Sequence, residues 1–235
     1  MSFNLDYLKE CIIAGAEYIP VTLKMTAIIF VVSVVLGLVI ATVRFYKIPV
    51  LSQILATFVT VYLGVPTMLA INVYYLVFST FYNSVAEFFN LSTTIRDANF
   101  NIVAYFTLII STACWISETF RGAYKAIDKV QFEAGYSIGL TKFRTLTRIV
   151  LPQVVPIVLP SMVNWLTGTL KNMSMIYVIG LYEIMNGALV PCIRTYSYVE
   201  GYVAAAIIYW IIVVIIEQAG KILEKRSGRY RRQGV

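Results

Sequence analysis

Residues 25–43 read MTAIIFVVSVVLGLVIATV, nineteen positions without a charge. As a helix rising 1.5 Å per residue, such a run extends about 28 Å, close to the roughly 30 Å hydrocarbon core of a bilayer. A second charge-free stretch runs from Val50 to Asn83. The whole chain is 59% hydrophobic and 13% charged, against about 25% charged in soluble domains. These observations predict an all-α, polytopic membrane protein with about five spans in one transmembrane domain.

Outward from residue 43, the spans follow in turn. The first is expected over 21–43, ending at Arg44 and Lys47, with Lys24 near enough to its start to snorkel. Val50–Asn83 is too long for one straight span, and Gly64-Val65-Pro66 offers a break because proline interrupts the helical ladder. The entry segment is then 50–63 and the second span 66–82. Residues 83–100 form a polar loop with Glu87, Arg96 and Asp97. The third span is expected over 102–120 and the fourth over 154–179. Pro152, Pro156 and Pro160 each remove a backbone donor on one face, which predicts a bent entry. The fifth covers 199–223, and a basic tail occupies 224–235. Residues 1–20, with Leu5, Leu8, Ile12 and Ile19 near one face, suit an outer interfacial helix.

Charge sets orientation and excludes several functions. The net charge is +7, yet Lys and Arg gather at the ends of apolar runs rather than on one nucleic-acid-binding face. Residues 44–49, 121–148 and the stretch from Lys221 onward hold 14 of the 19 basic residues. The positive-inside rule makes that side cytoplasmic and the N-terminus external. Asp6, Glu10 and Glu17 argue against a cleavable signal. Histidine is absent, and Cys11, Cys114 and Cys192 are too scattered for a disulfide framework or metal site, so they read as small apolar side chains.

The connection between the third and fourth spans carries a spaced pattern. Glu133-Ala134-Gly135 is followed by three residues, Gly139, nine residues, Ile149, one residue and Leu151-Pro152. Glu133 to Ile138 can form a short helix, Gly139 a tight turn, and Leu140 to Ile149 a second helical stretch. An element of this kind can dock in a partner's cleft and move as a rigid body. Topology alone needs Lys142, Arg144 and Arg148, but not Glu133, Gly139 or Leu151-Pro152.

This pattern closely resembles the EAA loop of ABC importer permeases, with Gly135 in place of the second alanine. Along nearly the whole chain the resemblance is to permeases of polar amino acid importers, of the histidine, arginine, glutamine and cystine type. Ser117-Glu118-Thr119-Phe120-Arg121-Gly122-Ala123 is similar to that branch's Ala-Glu-Ile-Phe-Arg-Gly-Ala. Ile149 to Gln153 with Leu159-Pro160, and Leu170-Lys171-Asn172-Met173-Ser174, match further segments. The resemblance implies a type I importer fold and a non-enzymatic permease, possessing no cofactor of its own, in a bacterial-type plasma membrane. It further implies a dimer of ABC ATPase subunits that binds ATP and Mg, an extracellular substrate-binding protein and a second permease subunit. No Gly-x-x-x-x-Gly-Lys-Ser/Thr loop occurs in the sequence, which agrees with ATP being bound elsewhere. The family's Glu133, Ala134, Gly135, Gly139, Leu151 and Pro152 positions would couple to the ATPase.

Departures fall near the expected pathway. Leu63-Gly64-Val65-Pro66 replaces Arg-Gly-Thr-Pro, Ser111 to Trp115 replaces Asn-Ser-Gly-Ala-Tyr, and Asn172-Met173 replaces Asp-Thr. The loss of polar groups slightly favours a heterodimer over a homodimer. Lys171, within the fourth span, must face protein or water. With Asn172, Ser174 and Glu118 it lines the pathway, or it pairs with Glu118 or backbone carbonyls. Glu118 also lies one turn from Arg121, a local ion pair, and Glu217 lies one turn from Lys221. Tyr74, Tyr75, Phe78, Phe81 and Tyr82 suit an interfacial belt or a cap over a cavity. Gly187, Pro191 and Gly201 mark an outer loop whose Arg194 and Glu200 could meet the binding protein. A secondary transporter and a membrane-embedded enzyme are the rival classes. The first lacks a visible repeat, and the second lacks histidine and paired intramembrane carboxylates.

Overall fold

The computed structural model describes residues 3–90 and 92–232, with side chains as far as Lys225. The chain is all-helical, with no strand among the described residues. A short helix α1 (Leu5–Ala16) precedes the long α2 (Ile19–Phe45). Helices α3 (Leu51–Leu63) and α4 (Thr67–Phe88) follow, then α5 (Asn101–Ala126). The connection contains α6 (Lys129–Ser137) and α7 (Lys142–Thr145), which passes through a π-helical segment into α8 (Leu151–Asn172). A 3-10 stretch, Met173–Ile179, ends that rod. Two small helices, α9 (Ile184–Leu189) and α10 (Cys192–Thr195), lead to α11 (Tyr198–Arg232).

Four helical segments are long and apolar enough to cross a membrane: α2, α5, the rod 142–179 and Tyr198–Lys225 of α11. The pair α3 and α4 makes a fifth, bent by 106°. The break falls at Gly64-Val65-Pro66, where Pro66 is extended with φ −58° and ψ 130° and starts the new helix. Several helices outrun the expected spans. Helix α4 runs on to Phe88 and α5 to Ala126, since a helix leaving the membrane keeps its own hydrogen bonds. The proline-rich entry shows its distortion as the π segment Leu146–Val150, ahead of Pro152, while Pro156 and Pro160 sit inside α8. The expected basic tail continues α11 as far as Arg232; its side chains beyond Lys225, and residues 233–235, lie outside the described residues.

The burial pattern is that of a protein whose surroundings are apolar. On α2 the buried stripe is Thr22, Met25, Thr26, Ile29, Ser33, Gly37 and Ala41, mostly small or polar. Val31, Val35 and Val39 on the outer face are 61%, 57% and 53% exposed. In water this arrangement would leave the larger apolar groups solvated, whereas in lipid small residues allow helices to approach closely. The hydroxyls are satisfied locally: Thr26 Oγ1 donates to Thr22 O at 2.8 Å and Thr107 Oγ1 to Val103 O at 2.8 Å. Ser33 Oγ crosses to Ile109 O of α5 at 3.0 Å.

Helices α2 and α5 form the centre of the bundle. A β-carbon on Gly37 would stand 2.7 Å from Ile116 Cγ2 and 3.0 Å from Ala113 O. One core joins Ala41, Ile116, Phe120, Tyr124, Val150 and Val154 of α2, α5 and the 142–179 rod. Another joins Ile29, Ile71, Leu108 and Ile176 of α2, α4, α5 and the 3-10 stretch. The aromatic residues of α4 divide between these roles. Tyr75 and Phe78 pack on Phe100, at 5.2 and 5.7 Å between ring centres, and Tyr74 packs edge-on against Phe106, whereas Phe81 is exposed.

The expected outer loop at 187–201 is instead tightly packed helix. Gly187 lies against the Tyr18 ring and Ala14 O, and Gly201 against Leu189 and Cys192. Glu183 caps α9 through Asn186 N at 3.0 Å and accepts from the Tyr209 hydroxyl of α11. Helix α1 packs on α9 and α11 through Cys11 and Gly15, with Leu8 and Ile12 of its expected apolar face packed beside them and Leu5 exposed. Glu200 is buried and accepts from Asn4 N at 2.8 Å, and Arg194 pairs with Glu10 at 2.7 Å. Neither is the free surface charge that their loop position predicted. Glu217 and Lys221 form no ion pair among the described residues, and both are exposed; solvent screening leaves little to gain from such a pair.

Replacing Gly37 by valine should destabilise the bundle by about 1–3 kcal/mol, the usual range for overpacking. Gly122→Ala, where no atom lies within 4 Å of the new carbon, should change stability by about 0.5 kcal/mol or less. Thermal unfolding of the two purified variants in one detergent checks the contrast.

Candidate functional site

The connection between α5 and α8 is a built element. Asp128 caps α6 by accepting from Val130 N at 3.0 Å. At the other end Gly139 adopts φ +81°, the left-handed conformation that glycine takes readily. There Leu140 N donates to Gly135 O at 3.0 Å, closing the helix end. Thr141 then caps α7, accepting from Arg144 N at 3.3 Å. The result is a helix, a four-residue reversal over 138–141 and a second helix continuous with α8.

The pattern residues divide by face. Glu133, Ala134, Gly139 and Pro152 are exposed, Leu151 is half-buried and Gly135 is buried. The departure at Gly135 has a local cause. A β-carbon there would stand 2.7 Å from Thr145 Cγ2, 2.9 Å from Thr145 Oγ1 and 3.1 Å from Ile149 Cδ1. Glycine thus lets α6 lie directly on α7 and the π segment. Thr145 Oγ1 is itself buried without a partner. Phe132 anchors the other side of α6, packing on Phe45 of α2 at 5.5 Å between ring centres. Ile138 and Phe143, at the two sides of the reversal, are 74% and 72% exposed. A rigid helix pair therefore presents two large apolar side chains beside a carboxylate.

Above this element lies a cleft of about 460 Å³, lined by Phe45, Tyr46, Tyr124, Lys125, Phe132 and Glu133 among others. Burial first, and then the neighbouring Tyr136, pushes the Tyr46 phenol up to about 12. It therefore remains a donor at neutral pH, reaching Lys142 O at 3.3 Å.

Glu118 joins two arginines. Its Oε1 accepts from Arg44 Nη1 at 2.5 Å and its Oε2 from Arg121 Nε at 2.9 Å and Nη2 at 2.5 Å. The Arg121 contact is the expected one-turn pair; the Arg44 contact ties α5 to the end of α2, 74 residues away in sequence. With both oxygens engaged, Glu118 does not take Lys171. Lys171 is exposed at the end of α8 with no ion pair among the described residues. Asn172 and Ser174 beside it are half-buried, and Ser174 Oγ donates to Lys171 O at 2.8 Å. The structure also stacks Trp115 on Trp165 at 5.4 Å, with Trp165 Nε1 donating to Thr119 Oγ1 at 3.0 Å. Only the presence of single tryptophans on two neighbouring helices hinted at that contact.

The chain is thus a crossed α-helical bundle that carries an outward-facing helix pair between two spans. The chain belongs to the family described as binding-protein-dependent transport system inner membrane component, whose model matches residues 33–229. It is 27% identical to the "Probable amino-acid ABC transporter permease protein PatM" of Vibrio harveyi, over 92% of each chain. It is 29% identical to the "L-cystine transport system permease protein TcyL" of Bacillus subtilis, over 96% of this chain and 92% of that one. A crystal structure of an amino acid ABC transporter with histidines superposes with a TM-score of 0.78 at 22% identity, covering 96% of this chain and all of that one. The protein is thus an inner membrane permease component of an importer family, with a transporting rather than catalytic role.

Gly135→Ala should push α6 away from Thr145 and lower stability by about 1–3 kcal/mol. Adding Thr145→Ala removes both clashing atoms and the unpartnered hydroxyl, and should recover most of that loss. Thermal unfolding of the single and double variants tests this.

Proposed function

We propose that this chain is one of two permease subunits of an ATP-driven importer of polar amino acids or related compounds, cystine among them. The N-terminus lies outside and the C-terminus in the cytoplasm, as the basic residues favour. A dimer of ATPase subunits, which binds the ATP and Mg, docks on the element that carries Glu133, Ala134, Gly135, Gly139, Leu151 and Pro152, with Gly135 acting from inside by holding α6 on α7. The observation that carries this reading is the α6–α7 pair, clamped through Gly135 and Thr145 with Ile138 and Phe143 turned outward. An exposed apolar pair on a rigid support is what a partner's cleft can grip and move. Closure of the ATPase dimer would draw the α6–α7 elements of both permeases together and reorient the spans between outward and inward access.

The substrate class follows from the names of the relatives and from the chemistry at the end of α8. The Lys171 ammonium, exposed at the end of an apolar rod and lacking a counter-ion among the described residues, suits a substrate carboxylate, with Asn172 and Ser174 supplying polar contacts. Glu118, paired with Arg121 on its own helix, braces α5 to α2 through Arg44. An extracellular binding protein delivers the substrate. The replacement of polar pathway residues in this chain favours a heterodimer, whose other permease supplies further contacts.

Tagged chain purified from its native host in mild detergent should bring down an ATPase subunit and a second, different permease. Recovery of only this chain with the ATPase would make the complex a homodimer, and absence of any ATPase would overturn the reading. Lys171→Met should leave the assembled complex intact and reduce uptake of labelled amino acid tenfold or more, about 1.4 kcal/mol. Loss of assembly would assign Lys171 to packing instead.

A further inference from the structure

Helix α1 and its cap Asn4 are held to α10 and the first turn of α11 by contacts on either side of two sulfurs. Asn4 N donates to the buried carboxylate of Glu200, and Glu10 pairs with Arg194. Between them Cys11 and Cys192, fully buried and 181 residues apart, place their Sγ atoms 3.7 Å from each other. The two thiols thus touch at about the sum of their radii. The backbone is shaped around them. Gly15, one turn beyond Cys11, lets α1 approach Ala188 and Ile208, at 3.0 and 2.9 Å from a hypothetical β-carbon. A β-carbon on Gly201 would come within 2.5 Å of Cys192 Sγ. Cys192 Sγ is thus enclosed by Gly201, by Ser197 O at 3.2 Å and Ala188 O at 3.8 Å, and by Cys11 Sγ.

We infer that Cys11 and Cys192 are joined as a disulfide in the mature protein, a covalent staple between the N-terminal helix and the segment preceding the last span. This rests on the proposed orientation, which puts both residues on the oxidising outer side. The reaction is thiol–disulfide exchange with a disulfide-bearing oxidant, either a thiol oxidase or a small-molecule disulfide. One thiolate attacks the oxidant's S–S bond to give a mixed disulfide. The second then displaces the oxidant's remaining sulfur. The Sγ–Sγ bond forms, the oxidant's S–S bond breaks, and the oxidant leaves as two thiols carrying the two electrons and two protons. Burial pushes the Cys11 thiol up to about 12, which suppresses the reactive thiolate in the folded state. The finished bond, buried between α1 and α10, is shielded from reductants. Cys114, buried in α5, has no cysteine beside it and stays a thiol.

The test uses full-length chain from native membranes. Free thiols are blocked with N-ethylmaleimide in denaturant, the sample is reduced, and new thiols are labelled with a polyethylene-glycol maleimide. Two new labels are expected, with a peptide pair joining Cys11 to Cys192 and lighter by two hydrogens than its reduced parts. Three thiols blocked before reduction would overturn the inference. An impermeant maleimide applied to intact cells carrying Lys9→Cys in a Cys11→Ser, Cys192→Ser background then separates the causes. Labelling would show the orientation to be right and the staple wrong. Labelling only after permeabilisation would show both wrong.

Discussion

The close approach of α2 and α5 at Gly37 is the contact on which the other packing rests. In lipid, apolar side chains gain little by leaving their surroundings, so helices associate through close backbone contact and a few polar bonds. Gly37 against Ile116 and Ala113, with Ser33 bonded to Ile109 O, supplies both. The remaining elements gather on this pair. Helix α4 lies along α5, the 142–179 rod along both, and α11 closes the far side of that rod.

The same pair carries the connection proposed to couple the spans to the ATPase. Helix α6 leaves α5 after Ile127 and turns back at Gly139. It is pinned on one side by Phe132 against Phe45 and on the other by Gly135 against Thr145. The π segment then passes directly into α8, so no loose joint separates the exposed reversal from the span behind it. The double ion pair at Glu118 braces the root of this element, because it joins α2 to α5 just above the connection. Movement imposed at Ile138 and Phe143 would therefore reach the spans as rigid-body motion rather than being absorbed by a flexible loop.

The opposite end is knitted as tightly as the connection. Glu200 and Arg194 fall in a stretch that reads as an outer loop, yet they are engaged with Asn4 and Glu10, and nearby Glu183 caps α9. Buried carboxylates persist because backbone N–H groups and a tyrosine hydroxyl satisfy them. These contacts hold α1 against the bundle. Ile193, Tyr196 and Tyr198 are exposed at this end, as is the Arg194–Glu10 pair.

Residues 25–43 and the other apolar runs announced the spans, because the transfer energy that takes a segment into lipid is a local sum over its own side chains. Proline at 66 marked the break, and the spacing from Glu133 to Pro152 marked the connection, since backbone turns and helix ends are likewise local. Partners across long separations were not legible. Helical periodicity gives a residue its face but not the neighbour that face will meet. Glu118 was thus matched with Arg121, one turn away, while Arg44 was missed. Cys11 and Cys192 seemed scattered, and Gly135 seemed a tolerated variant of alanine. Only the tertiary structure brought Arg44 to Glu118, Cys11 to Cys192 and Thr145 under Gly135, because each contact depends on how whole helices cross, which no single segment encodes.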